Sequence, residues 1–230
     1  ALPILNISSF LEEIDPYVSL GVNRCCFRGQ AKPWPILPKA YREEFSGVDN
    51  KFVHLADNRL RQWEAESRSY LREMDAIPTS PWEWLATAQH FGLATKVVDW
   101  TSNPLIALFF AVSSHIECDG EFIAWSFEDS QYNPPDFPDE VKSVVIFRPA
   151  PTFARLRFQN GLLSYHPAPE SIVPDKQLLR IKIPAESKVL LQDQLSRFGI
   201  DHASIFSSLD HLAEKINYLS INHIRKNNIK

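Results

Sequence analysis

Glycine is scarce in this chain. There are seven glycines against seventeen prolines in 230 residues. That balance predicts proline-punctuated connections and excludes a glycine-rich phosphate loop. No Walker-type loop, dinucleotide glycine fingerprint, nucleophile elbow or zinc motif is present. The seven histidines are scattered without zinc-like spacing, so neither a metal nor a permanently bound cofactor is expected. Cysteine is equally sparse. Cys25, Cys26 and Cys118 are odd in number, and two are adjacent, which makes a poor disulfide framework. The pair reads as small hydrophobes in a strand, reduced, as in a cytoplasmic protein. Long apolar runs are missing too. Leu105 to Val112 is the most apolar stretch and is far too short to span a bilayer, so no membrane partner is expected. The opening ALPILNISSF lacks the basic flank of a signal peptide. A net charge of −4 does not indicate nucleic acid as a partner.

What is present is ample apolar material, 44% of the chain, arranged in mixed helical and strand periods. Asn23 to Phe27 reads as a strand delivering Arg28 at its end. Residues 31–41 carry three prolines and form an ordered loop. Phe52 to Met74 has apolar residues near helical spacing. Ser80-Pro81 supplies an N-cap and a first-turn proline for a helix that runs through His90 and stops at Gly92. Lys96 to Asp99 is a short β-branched strand. Asn103-Pro104 restarts a helix through Ser114, with Thr101 or Ser102 as its cap. Strands are expected at Glu121–Phe127, Ser143–Arg148, Arg157–His166 and Gln177–Pro184, with a proline-rich loop at Asp129–Glu140. Terminal helices are expected at Glu186–Phe198 and Leu209–Ile224. Without regular strand–helix alternation the class is α+β: a mixed sheet, with room for a split, flanked by helices.

Four polar clusters interrupt the apolar segments. Buried polar groups need partners, from the protein or from a ligand. Arg28 can clamp a phosphate or carboxylate with its planar fork, and Gly29 would let a ligand approach the backbone. A surface arginine beside a turn is the plainer alternative. His90 can act as a base or donor, or merely meet the negative end of its helix. Asp99 to Asn103 is either a capped helix start or a helix start facing a ligand, with Asp99 free to pair with an arginine. Gln159, in the Arg157–Gly161 cluster, can hydrogen-bond a sugar hydroxyl or a base edge, or simply turn the chain.

Together these clusters resemble the FRG domain family, named for its Phe-Arg-Gly motif. The matching pieces are Phe27-Arg28-Gly29-Gln30, Ala88-Gln89-His90-Phe91-Gly92, Asp99-Trp100-Thr101 with Asn103-Pro104, and Ala107 to Ala111. Arg157 to Gly161 and Leu209-Asp210 are similar to the family's tail. Ala94 stands where the family usually has proline, and Lys96 where it usually has arginine. The resemblance implies a single FRG-type domain over 1–230, with the motifs within about 22–216.

The order of features is also similar, more distantly, to the ADP-ribosyltransferase plan. An arginine on an early strand precedes a strand with Ser/Thr leading into an Ala- and Phe-rich helix, and then a late polar strand. In that superfamily the arginine supports the NAD phosphate and ribose, the Ser/Thr orders the site, and a late glutamate engages the nicotinamide ribose. Arg28, Thr101 and Ser102 fit by order. No late glutamate motif is present, and Gln159 is the nearest by order. The resemblance implies an ADP-ribosyltransferase or NAD glycohydrolase-like protein with NAD as substrate. Arg28, His90, Thr101 and Gln159 are its candidate catalytic residues. Phe27, Arg28, Gly29, Gln30, Gln89, His90, Asp99, Trp100, Thr101, Ser102 and Asn103 are its candidate ligand-binding residues. Two other readings stand beside this one: a non-catalytic module that binds a nucleotide or partner, and a core lock in which Arg28 pairs with Asp99 and no ligand binds.

Overall fold

The computed structural model describes residues 4–19, 24–132, 134–150, 159–173 and 175–206, together with 213, 216, 217 and 220. Its centre is a six-stranded sheet of β1 (Cys25–Gln30), β2 (Val97–Thr101), β3 (Gly120–Ser126), β4 (Val145–Phe147), β5 (Gly161–Tyr165) and β6 (Leu178–Ile183). The strand order is β4-β5-β2-β1-β3-β6. All the pairings are antiparallel rather than mixed, and the helices flank the sheet, so the α+β class stands.

Pairing is uneven across the sheet. β1 and β3 are in register over six pairs, from Cys25↔Ser126 to Gln30↔Glu121. β2 and β5 pair along the whole of β2. Between β1 and β2 only Phe27↔Thr101 is in register, so the sheet splits beyond that point. Arg28 therefore lies inside β1, at the split, rather than at a strand end.

The main helices are α1 (Ile7–Val18), α2 (Glu43–Ser46), α3 (Leu55–Glu73), α4 (Pro81–His90), α5 (Pro104–Val112), α6 (Asp129–Tyr132), α7 (Lys188–Arg197) and α8 (His202–Phe206). α4 begins as the sequence predicts: Ser80 accepts from the Glu83 N–H and Pro81 holds the first turn. Gly92, just past its end, has φ +87°, a backbone state that suits glycine. The cap of α5 is Asn103, not Thr101 or Ser102. The Asn103 side-chain oxygen accepts from the Leu105 and Ile106 N–H groups. Helix α1 escapes the sequence reading. Asn6 caps it, and Ser9, rather than the usual Glu or Gln, returns the bond to the Asn6 N–H. The expected Asp129–Glu140 loop contains α6 and a single turn at Pro138–Glu140. The expected Leu209–Ile224 helix, Leu209-Asp210, and Arg157 and Phe158 lie wholly or largely outside the described residues.

Helix α5 fixes the fold's centre. It packs Ile106, Ala107, Leu108, Ala111 and Val112 into a core shared with Phe10 of α1, Phe27, Phe122, Ile183 and Leu191 of α7. A Cβ placed on Gly29 would lie 1.7 Å from the Ala107 carbonyl oxygen, and one on Gly120 would lie 2.3 Å from that of Ala111. The two glycines thus let the helix backbone rest directly on β1 and β3. Gly29 serves close helix–strand packing. Lys188 of α7 is fully buried and donates to the carbonyls of Ala31, Ser114 and His115 at 2.8, 3.2 and 3.0 Å. It satisfies backbone acceptors just past the end of β1 and just past the C-terminal end of α5. The opposite sheet face buries Cys26, Trp100, Ile123, Trp125 and Ile146. Helix α4 packs Leu85 and Ala86 against Val97, Leu163 and Tyr165 in a third cluster.

Candidate functional site

A cleft of about 230 Å³ opens at the split between β1 and β2. Strand β1 lines it with Phe27, Arg28 and Gly29, and β2 with Asp99, Trp100 and Thr101. Helix α4 adds Ala86, Gln89 and His90, helix α5 adds Phe110, and the turn before β5 adds Gln159. Nine of the predicted site residues are thus brought together: Phe27, Arg28, Gly29, Gln89, His90, Asp99, Trp100, Thr101 and Gln159. Gln30, Ser102 and Asn103 are not among its walls. Gln30 is buried and donates to the Trp34 carbonyl and to Glu121. Ser102 donates to the Asn160 carbonyl, and Asn103 is occupied as the helix cap. Ala86 and Phe110 are walls that the sequence reading missed. Ala86 carries no sequence signal beyond its helical periodicity, whereas Phe110 lies within the Ala107–Ala111 segment without being singled out there.

Arg28 bridges the split. Its Nη1 donates to the Asp99 backbone carbonyl at 2.7 Å, replacing the strand partner that this carbonyl lacks where β1 and β2 separate. Its Nε makes a long contact of 3.5 Å with Gln30 Oε1. A guanidinium has five N–H donors, so three remain without a bond to a described residue. Burial lowers Arg28 from the usual guanidinium range; the charge of Asp99 opposes this, and that of Arg42 adds to it. An arginine is so strong a base that it stays charged. The expected Arg28–Asp99 lock is thus a bond to the main chain, and no ion pair joins the two side chains.

The Asp99 carboxylate is positioned by a relay from α4. Thr95 Oγ1 donates to Gln89 Oε1 at 2.6 Å, and Gln89 Nε2 donates to Asp99 Oδ2 at 2.7 Å. Thr95 is buried, which fixes the relay's far end. Thr101 ties two strands together. Its hydroxyl donates to the Gln159 carbonyl at 2.6 Å and accepts from the Asn103 N–H at 3.0 Å. The turn that carries Gln159 onto the cleft is held this way, with Asn160 at φ +46°, a state asparagine tolerates. The Gln159 amide donates to the Ile205 carbonyl of α8 at 3.4 Å. His90 ends α4 on the cleft wall, its ring edge-on to Phe91.

The Trp100 wall is anchored from behind. Its Nε1 donates to Ser164 Oγ at 2.9 Å, and Ser164 meets His166 Nε2 at 2.9 Å. His166 Nδ1 lies 2.6 Å from the Ser171 carbonyl. A carbonyl only accepts, so Nδ1 carries the proton and Nε2 accepts from Ser164. Burial lowers His166 below the ordinary imidazole range, with the bond to Ser171 opposing, which fits this neutral form. Lys96 pairs with Asp57 of α3 at 2.7 Å and does not line the cleft. Among the described residues no group of three or more His, Cys, Asp or Glu side chains is placed to hold a metal. No helix among them is long and apolar enough to cross a membrane.

Fold and site define an α+β domain with a polar cleft at the split of an antiparallel sheet. Residues 23–119 match the family model of the FRG domain. The match contains the Phe-Arg-Gly, Gln-His and Asp-Trp-Thr motifs and ends just before β3. The strands that complete the sheet, β3 to β6, and Gln159 lie beyond it. No curated protein and no solved structure matches the chain.

Proposed function

We propose that the cleft binds a nucleotide of the NAD class and that the protein is ADP-ribosyltransferase-like. The observation that carries this reading is the convergence of Arg28, Thr101 and Gln159 on one cleft. They come from β1, β2 and the turn before β5, in the order the resemblance requires. Arg28 offers guanidinium donors to a phosphate, a charge-assisted and potentially bidentate contact. Thr101 orders the turn that brings Gln159 to the cleft. Gln159 faces a ribose hydroxyl, and Phe110 offers an aromatic surface at the wall. In a transfer reaction the N-glycosidic bond breaks, nicotinamide leaves with the bond's electron pair, and an acceptor nucleophile closes on the sugar carbon.

A second reading is a binding module without turnover. The neutrality of Gln159 favours it, because an amide carries no charge to stabilise an oxocarbenium-like transition state. Calorimetry with NAD and ADP-ribose, with nicotinamide release followed in parallel, tests both. Binding with release supports the enzyme. Binding without release leaves the module. Silence towards both ligands rejects the nucleotide reading.

A further inference from the structure

We propose that Asp99 is the sugar-reading residue of this cleft, and that the cleft selects a phosphorylated pentose: phosphate on Arg28, ring hydroxyls on Asp99. The inference rests on the nucleotide reading above and sharpens it to a ligand class and a residue.

Four observations carry it. Asp99 is the sole carboxylate among the described residues lining the cleft, and it is exposed there. The Thr95–Gln89 relay holds one of its oxygens at 2.7 Å and leaves the other without a bond to a described residue. A carboxylate oriented by a relay anchored on the buried Thr95, yet only half used, is suited to accept hydroxyl protons. Arg28 donates to the backbone carbonyl of this same residue, so the cation and the carboxylate lie within one residue of each other. Their unused donors and acceptor ask for a ligand with an anion and a hydroxyl close together. The space is also small. At about 230 Å³ the cleft falls below the range of roughly 300–1,000 Å³ common for drug-sized ligands. A sugar phosphate fits this space better than a complete dinucleotide, whose remainder would extend into solvent. Asp99 also supplies the fixed negative charge that Gln159 lacks.

The test is calorimetry with ribose 5-phosphate and with tetrahydrofurfuryl phosphate, which is the same ring phosphate without ring hydroxyls. The wild type is expected to bind the sugar phosphate at least about tenfold more tightly, the value of one hydroxyl-to-carboxylate bond. Asp99→Asn keeps the bond from Gln89 but removes the charge, and should reduce that preference to about threefold or less. Asp99→Ser serves where the amide variant does not fold. Equal wild-type affinity for the two phosphates overturns the proposal, as does a preference that survives in the Asp99 variant. If ADP-ribose binds and ribose 5-phosphate does not, this inference fails while the nucleotide reading stands. If neither binds, both fail.

Discussion

Replacing Gly29 with alanine tests the packing on which the cleft depends. A Cβ at this position would meet the Ala107 oxygen at 1.7 Å, the Ala107 carbonyl carbon at 2.7 Å and the Ala111 nitrogen at 2.7 Å. All three are backbone atoms of α5, so no side chain can rotate away. Restoring even a tight 3.0 Å contact requires a shift of at least 1.3 Å between helix and strand, the difference between 3.0 and 1.7 Å. Ala107, Leu108, Ala111 and Val112 of that helix are fully buried, so the shift opens gaps around each of them. A gap of about 0.5–1 Å forfeits a quarter to a half of each dispersion contact. Overpacking ordinarily costs about 1–3 kcal/mol, and the backbone nature of this clash places Gly29→Ala at the upper end or beyond. Backbone entropy alone gives the opposite sign, because alanine is favoured over glycine inside a strand by about 0.5–1 kcal/mol. Urea unfolding at matched m-values is the assay. A midpoint equal to or above the wild type would refute the close-packing account of this glycine.

Other consequences follow from the same geometry. Arg28→Lys keeps the charge but loses the fork, and should weaken ADP-ribose binding about tenfold by calorimetry, with Arg28→Ala weaker still. Asn103→Ala removes the cap of α5 and should cost about 1 kcal/mol in denaturant unfolding. Burial raises the Cys25 thiol to about 12 and Cys26 well above its usual value, so in the native protein a thiol reagent should titrate Cys118 first, with the other two reacting on unfolding. His166 is lowered in the folded state, so the unfolded chain binds its proton more readily. Its contribution is complete above the unfolded value near 6.5 and is lost progressively as pH falls towards the lowered folded value. Unfolding midpoints should therefore fall between pH 7.5 and 5.5, and fall less in His166→Gln.

Local signals carried much of the fold. Ser80-Pro81 and Gly92 bracket α4 because capping and left-handed termination are properties of a few adjacent residues. The strands at 120–126 and 178–183 follow from alternation within two residues of expectation. Helix α1 was illegible because Ser9 replaces the usual partner in its capping box and Pro16 interrupts its last turn. The split between β1 and β2 depends on where two distant strands stop pairing, which no local pattern records. That split placed Arg28 inside a strand and gave its donor to the Asp99 main chain instead of its carboxylate. The motifs likewise marked the cleft without its internal division of labour. Gln30 and Asn103 sit in the motifs but serve Glu121 and α5, whereas Thr95, outside them, anchors the relay to Asp99.

A structure of the protein with ADP-ribose tests the central claim most directly. The account predicts a phosphate oxygen within hydrogen-bond distance of the Arg28 guanidinium and the terminal ribose between Asp99 and Gln159. Ligand bound elsewhere, or a cleft that stays empty at saturating ADP-ribose, would contradict it.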